Sequence, residues 1–142
     1  MALERTLAII KPDVVALRKQ GVVVQRILDE GFQVLAMRQA QLTRAEAEGF
    51  YAIHRGKGFF EELCAFMSQG PVVILSLERE GAVAHWREVI GATDPAKAAE
   101  GTIRKQFGAS VGVNAAHGSD SVENGQLESF YFFPGTELLA GS

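Results

Sequence analysis

One histidine in this chain, His117, stands among residue types that could form a phosphate-binding helix end. It belongs to the segment 114–121, whose sequence is NAAHGSDS. Asp120 and Glu123 have the spacing of a capping box, which predicts that a helix begins beside the histidine. The free N–H groups and the dipole at a helix N-terminus both attract anions. Because a neutral imidazole nitrogen is nucleophilic, His117 is a candidate nucleophile for a phosphate group.

Cationic side chains elsewhere in the chain, together with the hydroxyl of one threonine, could bind the same anion. Lys11 is followed by Pro12 at the end of the first predicted strand, and Arg87 lies on a predicted helix. Thr93 and Arg104 lie in the long segment after that helix. Arginine donates hydrogen bonds in a fixed fork that suits phosphate oxygens, and lysine supplies a point charge. Each residue alone is typical of a protein surface, but together they indicate an anion pocket.

Glu128 is the carboxylate best placed to orient His117. It lies one short predicted helix further along the chain, so it could accept a hydrogen bond from one ring nitrogen and fix the tautomer. The other histidines, His54 and His85, have no obvious partners in the sequence. We expect surface or structural positions for both.

The aromatic residues at 51–60 allow two interpretations. Phe59 stands at the start of a predicted helix, where it could be exposed and stack on a nucleobase, whereas we expect Phe60 in the core. Tyr51 is either a core residue or a hydrogen-bond donor to phosphate. Cys64 is the only cysteine, and we expect it to pack in the core as a small apolar residue.

Length and composition indicate one globular domain, residues 1–142, with 47% hydrophobic and 22% charged residues. A formal net charge of −3 disfavours nucleic acid as the main partner. The chain has no apolar run of the roughly 18 residues that a membrane span needs and no pattern of a signal peptide, so we expect a cytoplasmic protein. The P-loop, G-x-G-x-x-G and H-E-x-x-H motifs are absent from the sequence, and no residues are predicted to ligate a metal.

Hydrophobic periodicity and turn residues predict an α+β fold. Strands are predicted at 5–10, 32–42, 72–77 and 130–133. Helices are predicted around 22–28, after the capping residue Thr43, at 59–68 and 81–90, and briefly after Ser119. The segment 91–118 is predicted to be a long loop. This order favours a ferredoxin-like (βαββαβ) plan, a four-stranded antiparallel sheet with helices packed on it.

Five motifs, in this order and spacing, resemble those of nucleoside diphosphate kinase from about Glu4 to Phe133. They are Lys11-Pro12-Asp13, Tyr51 with Phe59, the segment from Arg87 to Pro95, Gly101-Thr102-Ile103-Arg104, and NAAHGSDS at 114–121. The last motif is highly specific to that family.

The resemblance implies a reversible ping-pong reaction. A nucleoside triphosphate would transfer its γ-phosphoryl group to Nδ1 of His117, and a nucleoside diphosphate would later accept it. Mg²⁺ would be bound through the nucleotide phosphates. The resemblance also implies broad base and sugar specificity, and a homo-oligomer that is a tetramer or a hexamer.

The resemblance assigns a role to each motif residue. Glu128 would hold the other ring nitrogen of His117, and Ser119 would form a hydrogen bond near Glu128 and serve as a secondary phosphorylation site. The substrate contacts would come from Lys11 and Tyr51 at the transferring phosphoryl group, Arg87, Thr93 and Arg104 at the distal phosphates, Asn114 with Lys11 at the ribose, and Phe59 and Val111 at the base.

Two other functions remain open from the sequence. The same scaffold could serve as a non-catalytic regulator that binds nucleotides or single-stranded nucleic acid. Alternatively, His117 could pass its phosphoryl group to a protein. A pure binding protein would not need Lys11, Arg104, Asn114 and His117 together, which favours the nucleotide-transferring enzyme.

Gly58 stands where related sequences commonly have proline before the aromatic pair, so the base-stacking segment is expected to be more mobile here. We therefore expect Gly58→Pro to change KM for nucleotides before it changes kcat. Steady-state kinetics on the variant and the native protein measure both constants. A changed kcat at constant KM would contradict this interpretation.

Overall fold

A four-stranded antiparallel sheet forms the centre of the molecule, in the strand order β2-β3-β1-β4. The computed structural model describes residues 2–139, so the ends of the predicted domain, residue 1 and residues 140–142, lie outside the described residues. The strands are β1 (Leu3–Ile10), β2 (Gln33–Ala40), β3 (Val72–Glu80) and β4 (Ala116–Gly118).

Seven α-helices connect and cover these strands in the described part of the chain. They are α1 (Pro12–Ala16), α2 (Gln20–Asp29), α3 (Arg44–Phe50), α4 (Phe60–Ser68), α5 (Ala82–Ile90), α6 (Ile103–Phe107) and α7 (Val122–Phe132). Short 3₁₀ helices occur at Ala52–His54, Pro95–Lys97 and Gly135–Glu137. The predicted ferredoxin-like plan is confirmed, with α3 and α4 both inserted between β2 and β3.

The fourth strand is not where the sequence pattern placed it. The aromatic run at 130–133 was predicted to be a strand, but it forms the last turn of α7 and the residue after it. Phe132 and Phe133 are buried while Phe130 and Tyr131 are exposed, so the run packs one side of a helix end onto the core. The real fourth strand is β4, which contains His117 and pairs with β1.

The beginning of α7 also differs from the prediction. Ser121, rather than Asp120, is the N-cap residue, and its hydroxyl accepts from the N–H of Asn124. Asp120 instead accepts a hydrogen bond from the side chain of Asn124. The histidine therefore lies on the strand that precedes the helix, and not on the helix end itself.

The segment 91–118, predicted to be a long loop, contains more structure than expected. It holds the 3₁₀ helix Pro95–Lys97, then α6, and finally β4. Thr102 caps α6 through its side chain, which accepts from the N–H of Lys105. By contrast, the predicted capping role of Thr43 at the start of α3 is confirmed, and Glu46 completes a capping box with it.

The sheet has a hydrophobic core on each face because residues of β1 alternate between the two sides. Ala8 and Ile10 pack with residues of α1, α2, α5 and α6. Leu7 and Ile9 pack with residues of α3, α4 and the end of α7. Cys64 belongs to this second core, as predicted.

Gly125 allows α7 to lie directly against β1. It is buried, and a Cβ atom at this position would overlap the main-chain oxygen of Arg5. The glycine thus permits a close contact that brings Glu128, one turn further along α7, towards β4. Within residues 2–139, no helix is long and apolar enough to cross a membrane.

Candidate active site

His117 lies in the middle of β4 and is held from both sides of its main chain. It is paired with Ile9 of the central strand β1. On the other side, the indole Nε1 of the fully buried Trp86 donates a hydrogen bond to the carbonyl oxygen of His117, at 2.9 Å. Trp86 comes from α5, so this bond joins that helix to the histidine strand.

Glu128 of α7 orients the imidazole ring. Its Oε1 lies 2.9 Å from Nε2 of His117 and also accepts a hydrogen bond from the hydroxyl of Ser119, at 2.7 Å. Because a carboxylate only accepts hydrogen bonds, this contact places a proton on Nε2. In the part of the chain that the structure describes, Nδ1 makes no hydrogen bond, so its lone pair is available to a ligand.

Ser119 supports this arrangement from a buried position. Its oxygen accepts a hydrogen bond from the N–H of Leu7 on β1, at 2.9 Å, while its hydroxyl donates to Glu128. The side chain is fully buried. Phosphorylation of Ser119, which the sequence resemblance implied, would therefore require both bonds to break.

Lys11 is a buried cation at the end of β1. Its ammonium group donates a hydrogen bond to Oδ1 of Asn114, at 2.7 Å. Burial, and then the positive charge of Arg104, lower the pKa of Lys11 to about 8, while the carboxylate of Asp13 acts in the opposite direction. A cation stripped of water in this way interacts strongly with any anion that reaches it.

Arg104 has a structural role that the sequence did not reveal. Nε, Nη1 and Nη2 of its guanidinium group donate hydrogen bonds to the main-chain oxygens of Asn114, Gly91 and Ala116, at 3.2, 2.9 and 2.8 Å. Burial, and then the nearby Arg87, lower its pKa to about 10. Since a guanidinium has five N–H donors, one on Nη1 and one on Nη2 remain for a ligand.

A cleft of about 890 Å³ brings together all of the predicted site residues except Ser119, which lies behind Glu128. Lys11, Arg87 and Arg104 give one region of its wall three cationic groups. Phe59 and Val111 also line it, and they are 48% and 57% exposed. The cleft therefore offers both cationic side chains and accessible apolar side chains to a ligand.

Tyr51 is buried, which raises the pKa of its phenol above the ordinary value.

Several residues of the site were not predicted from the sequence. The ring of Phe50 meets the imidazole of His117 edge-on, with centroids 5.2 Å apart. His54 was predicted to be a surface or structural residue, and the structure places it on the wall of the cleft, with its Nδ1 3.2 Å from Nζ of Lys57 and its ring near Phe59. A histidine or phenylalanine beside a motif gives no sequence signal that separates these positions from ordinary core or surface.

His85 has a structural position, with its Nε2 2.7 Å from Oε1 of Glu30. Within residues 2–139, no three histidine, cysteine or acidic side chains are grouped so that they could hold a metal ion.

Comparisons with known proteins agree on one family. The family model for nucleoside diphosphate kinase matches residues 4–138. A nucleoside diphosphate kinase from Sorangium cellulosum is 62% identical over 138 residues, which cover 97% of this chain and 96% of that protein. One from Salinibacter ruber is 56% identical over the full length of both chains.

Solved structures of the same family have the same fold. The Aquifex aeolicus nucleoside diphosphate kinase superposes with a TM-score of 0.94 at 45% identity, covering 97% of this chain and 100% of that one. A halophilic nucleoside diphosphate kinase from Halobacterium salinarum, in complex with CDP, gives a TM-score of 0.93 at 34% identity, covering 99% and 94%.

Gly118 provides a test of how tightly Trp86 packs on the histidine strand. A Cβ atom at residue 118 would lie 2.6 Å from Cδ1 of Trp86, so in Gly118→Ala either the indole or β4 must shift. We expect a loss of about 1–3 kcal/mol in the free energy of unfolding, measured by denaturant titration. Gly21→Ala in α2 is the matched control, because a Cβ there meets no atom within 4 Å. Equal stability of the two variants would contradict the packing argument.

Proposed function

Because the chain belongs to the nucleoside diphosphate kinase family and transfers phosphoryl groups between nucleotides, we propose that it works in two half-reactions through a phosphohistidine at His117. The observation that supports this most directly is the state of the imidazole. Nε2 lies 2.9 Å from Oε1 of Glu128, and Nδ1 makes no hydrogen bond to the described residues, in a side chain that lines the cleft. An imidazole whose one nitrogen is held by a carboxylate can use the lone pair of its other nitrogen as a nucleophile.

In the first half-reaction, the lone pair of Nδ1 attacks the γ-phosphorus of a nucleoside triphosphate. The bond from that phosphorus to the bridging oxygen breaks, and the oxygen leaves with the electron pair on a nucleoside diphosphate. The ring gains positive charge as the new bond forms, and the carboxylate of Glu128 stabilises that charge through Nε2–H. In the second half-reaction, a terminal phosphate oxygen of another diphosphate attacks the phosphorus of the phosphohistidine. The bond from phosphorus to Nδ1 breaks, its electron pair returns to the ring, and a nucleoside triphosphate leaves the free histidine.

The cations of the cleft would supply the electrostatic stabilisation that phosphoryl transfer needs. Lys11 would contact the transferring group, with Tyr51 beside it. Arg87, Thr93 and the two remaining N–H groups of Arg104 would bind the distal phosphates. The buried state of Lys11 and Arg104 supports these roles, because charges in a water-poor site act more strongly on a substrate than exposed ones.

The apolar side chains of the cleft support broad nucleotide specificity. Phe59 would stack on the base and Val111 would pack on its other face, while Asn114 with Lys11 would reach the ribose hydroxyls. Stacking is sequence-tolerant because every base has a π-face.

We further propose that the substrate is a magnesium–nucleotide complex, with Mg²⁺ held by phosphate oxygens. The donor set supports this assignment, since cationic Lys11, Arg87 and Arg104 suit phosphate and not a metal ion.

We also propose a cytoplasmic homo-oligomer, a tetramer or a hexamer. The position of β2 at the edge of the sheet, where Met37 is exposed, supports contact with a second copy.

Mixing the protein with ATP and Mg²⁺ should add one phosphoryl group, measured as an intact mass. The adduct should be labile to acid, stable to base and discharged by GDP or CDP. His117→Ala should form none, whereas His85→Ala, which removes a histidine outside the cleft, should react like the native protein. A folded native sample that binds nucleotide without forming an adduct would instead indicate a non-catalytic binding protein.

A further inference from the structure

The residue two positions before the nucleophile has an unusual backbone conformation. Ala115 has a φ of 74°, in the left-handed region that favours glycine, and its side chain is fully buried. The N–H of Ala116 donates to the carbonyl of Asn114 at 2.8 Å, which closes a three-residue γ-turn around Ala115. Turns of this hand are rare and strained in L-residues, so the surrounding structure must hold this one in place.

Both peptide groups of Ala115 are held by the segment that follows β1. Its carbonyl accepts from the N–H of Lys11 at 2.9 Å. Its N–H donates to Oδ2 of Asp13, in the first turn of α1, at 3.1 Å. Arg104 binds the carbonyls of the residues on either side. Asp13 is the acceptor that holds the N–H side of the turn.

We propose that Asp13 is a positioning residue for phosphoryl transfer, whose carboxylate holds the strained turn that presents Asn114 and His117 to the cleft. This inference rests on the proposed function. Asn114 begins the turn and bonds Lys11, and His117 follows one residue after its end. A relaxed turn would therefore move the nucleophile relative to the lysine.

The surroundings of Asp13 indicate that its carboxylate does more than stabilise the fold. Its second oxygen, Oδ1, is buried and has no hydrogen-bond partner among the described residues. Burial raises the pKa of Asp13, against the opposing effects of hydrogen bonds from backbone N–H groups and the charge of Lys11. At this buried position, the carboxylate of Asp13 supplies a negative charge near Lys11, and a neutral side chain would not.

The negative charge of Asp13 should affect the pH dependence of kcat/KM, because it acts on the pKa of Lys11. Lys11 has a pKa lowered to about 8 by burial and Arg104, and Asp13 raises it. Removing the carboxylate lowers the pKa of Lys11 further, so Lys11 loses its proton at a lower pH. The alkaline fall of kcat/KM then moves to lower pH.

Other charged or titratable groups also line this cleft. They are Arg87 on α5, His117 on β4, Glu128 on α7, Glu62 on α4, and Tyr51, His54 and Asp120.

Two substitutions separate the hydrogen bond from the charge. Asp13→Asn keeps an oxygen that can accept from Ala115 and removes the charge, whereas Asp13→Ala removes both. Asp29→Asn, at the exposed end of α2, is the control for a change of net charge alone. The readouts are the single-turnover rate of His117 phosphorylation, the pH profile of kcat/KM, and amide hydrogen exchange at Ala115.

We expect Asp13→Ala to slow phosphorylation between about 10- and 100-fold, the range that a small misplacement of reacting groups produces. KM should change much less, and exchange at Ala115 should accelerate. Asp13→Asn should keep most of the Ala115 protection and still move the alkaline fall to lower pH. Adding Ala115→Gly to Asp13→Ala should recover part of the rate, because glycine adopts positive φ without strain, but it should not restore the pH profile.

The proposal is overturned if folded Asp13→Ala phosphorylates His117 within twofold of the native rate, or if exchange at Ala115 is unchanged in that variant. If Asp13→Ala does not fold, Asp13→Asn decides, and an unmoved alkaline fall overturns the proposal. Failure of the proposed function looks different. In that case the native protein forms no phosphohistidine, while exchange at Ala115 still reports whether Asp13 holds the turn.

Discussion

The pairing of β4 with β1 is the constraint on which the rest of the site depends. Through it, His117 is fixed opposite Ile9 while the same strand β1 ends at Lys11. A strand of three residues has little propensity of its own, so its geometry is imposed from outside. Arg104 binds the carbonyls on both sides of the Ala115 turn, and Trp86 binds the carbonyl of His117. His117 is thus held by main-chain contacts that do not depend on its own side chain.

The second face of the site comes from α7. Gly125 lets this helix lie against β1, and the helix then carries Glu128 to the imidazole. Ser119 bonds both Glu128 and the N–H of Leu7, so the carboxylate is oriented from the sheet as well as from its own helix. Such support from a second layer of contacts is what keeps reacting groups in a productive geometry.

Much of the fold and of the cleft could be predicted from the sequence, and the failures have physical causes. The cationic residues that line the cleft were predicted because their motifs resemble those of nucleoside diphosphate kinase, and their roles in binding and catalysis stay predictions. β4 was missed because three residues with a glycine show no period, and the aromatic run at 130–133 was wrongly assigned as a strand because its apolar residues suit either element. Ala115 gave no signal, since alanine rarely adopts positive φ. The carbonyl contacts of Arg104 are tertiary and leave no local pattern.

We propose that Glu128, by occupying Nε2 of His117, directs phosphorylation to Nδ1. Long-range ¹H–¹⁵N correlation spectra of the histidine-labelled protein, recorded after reaction with ATP and Mg²⁺, identify the phosphorylated nitrogen. We expect a single phosphorylated imidazole with phosphorus on Nδ1 and the proton retained on Nε2. Phosphorus on Nε2 of His117, or on a different residue, would contradict it.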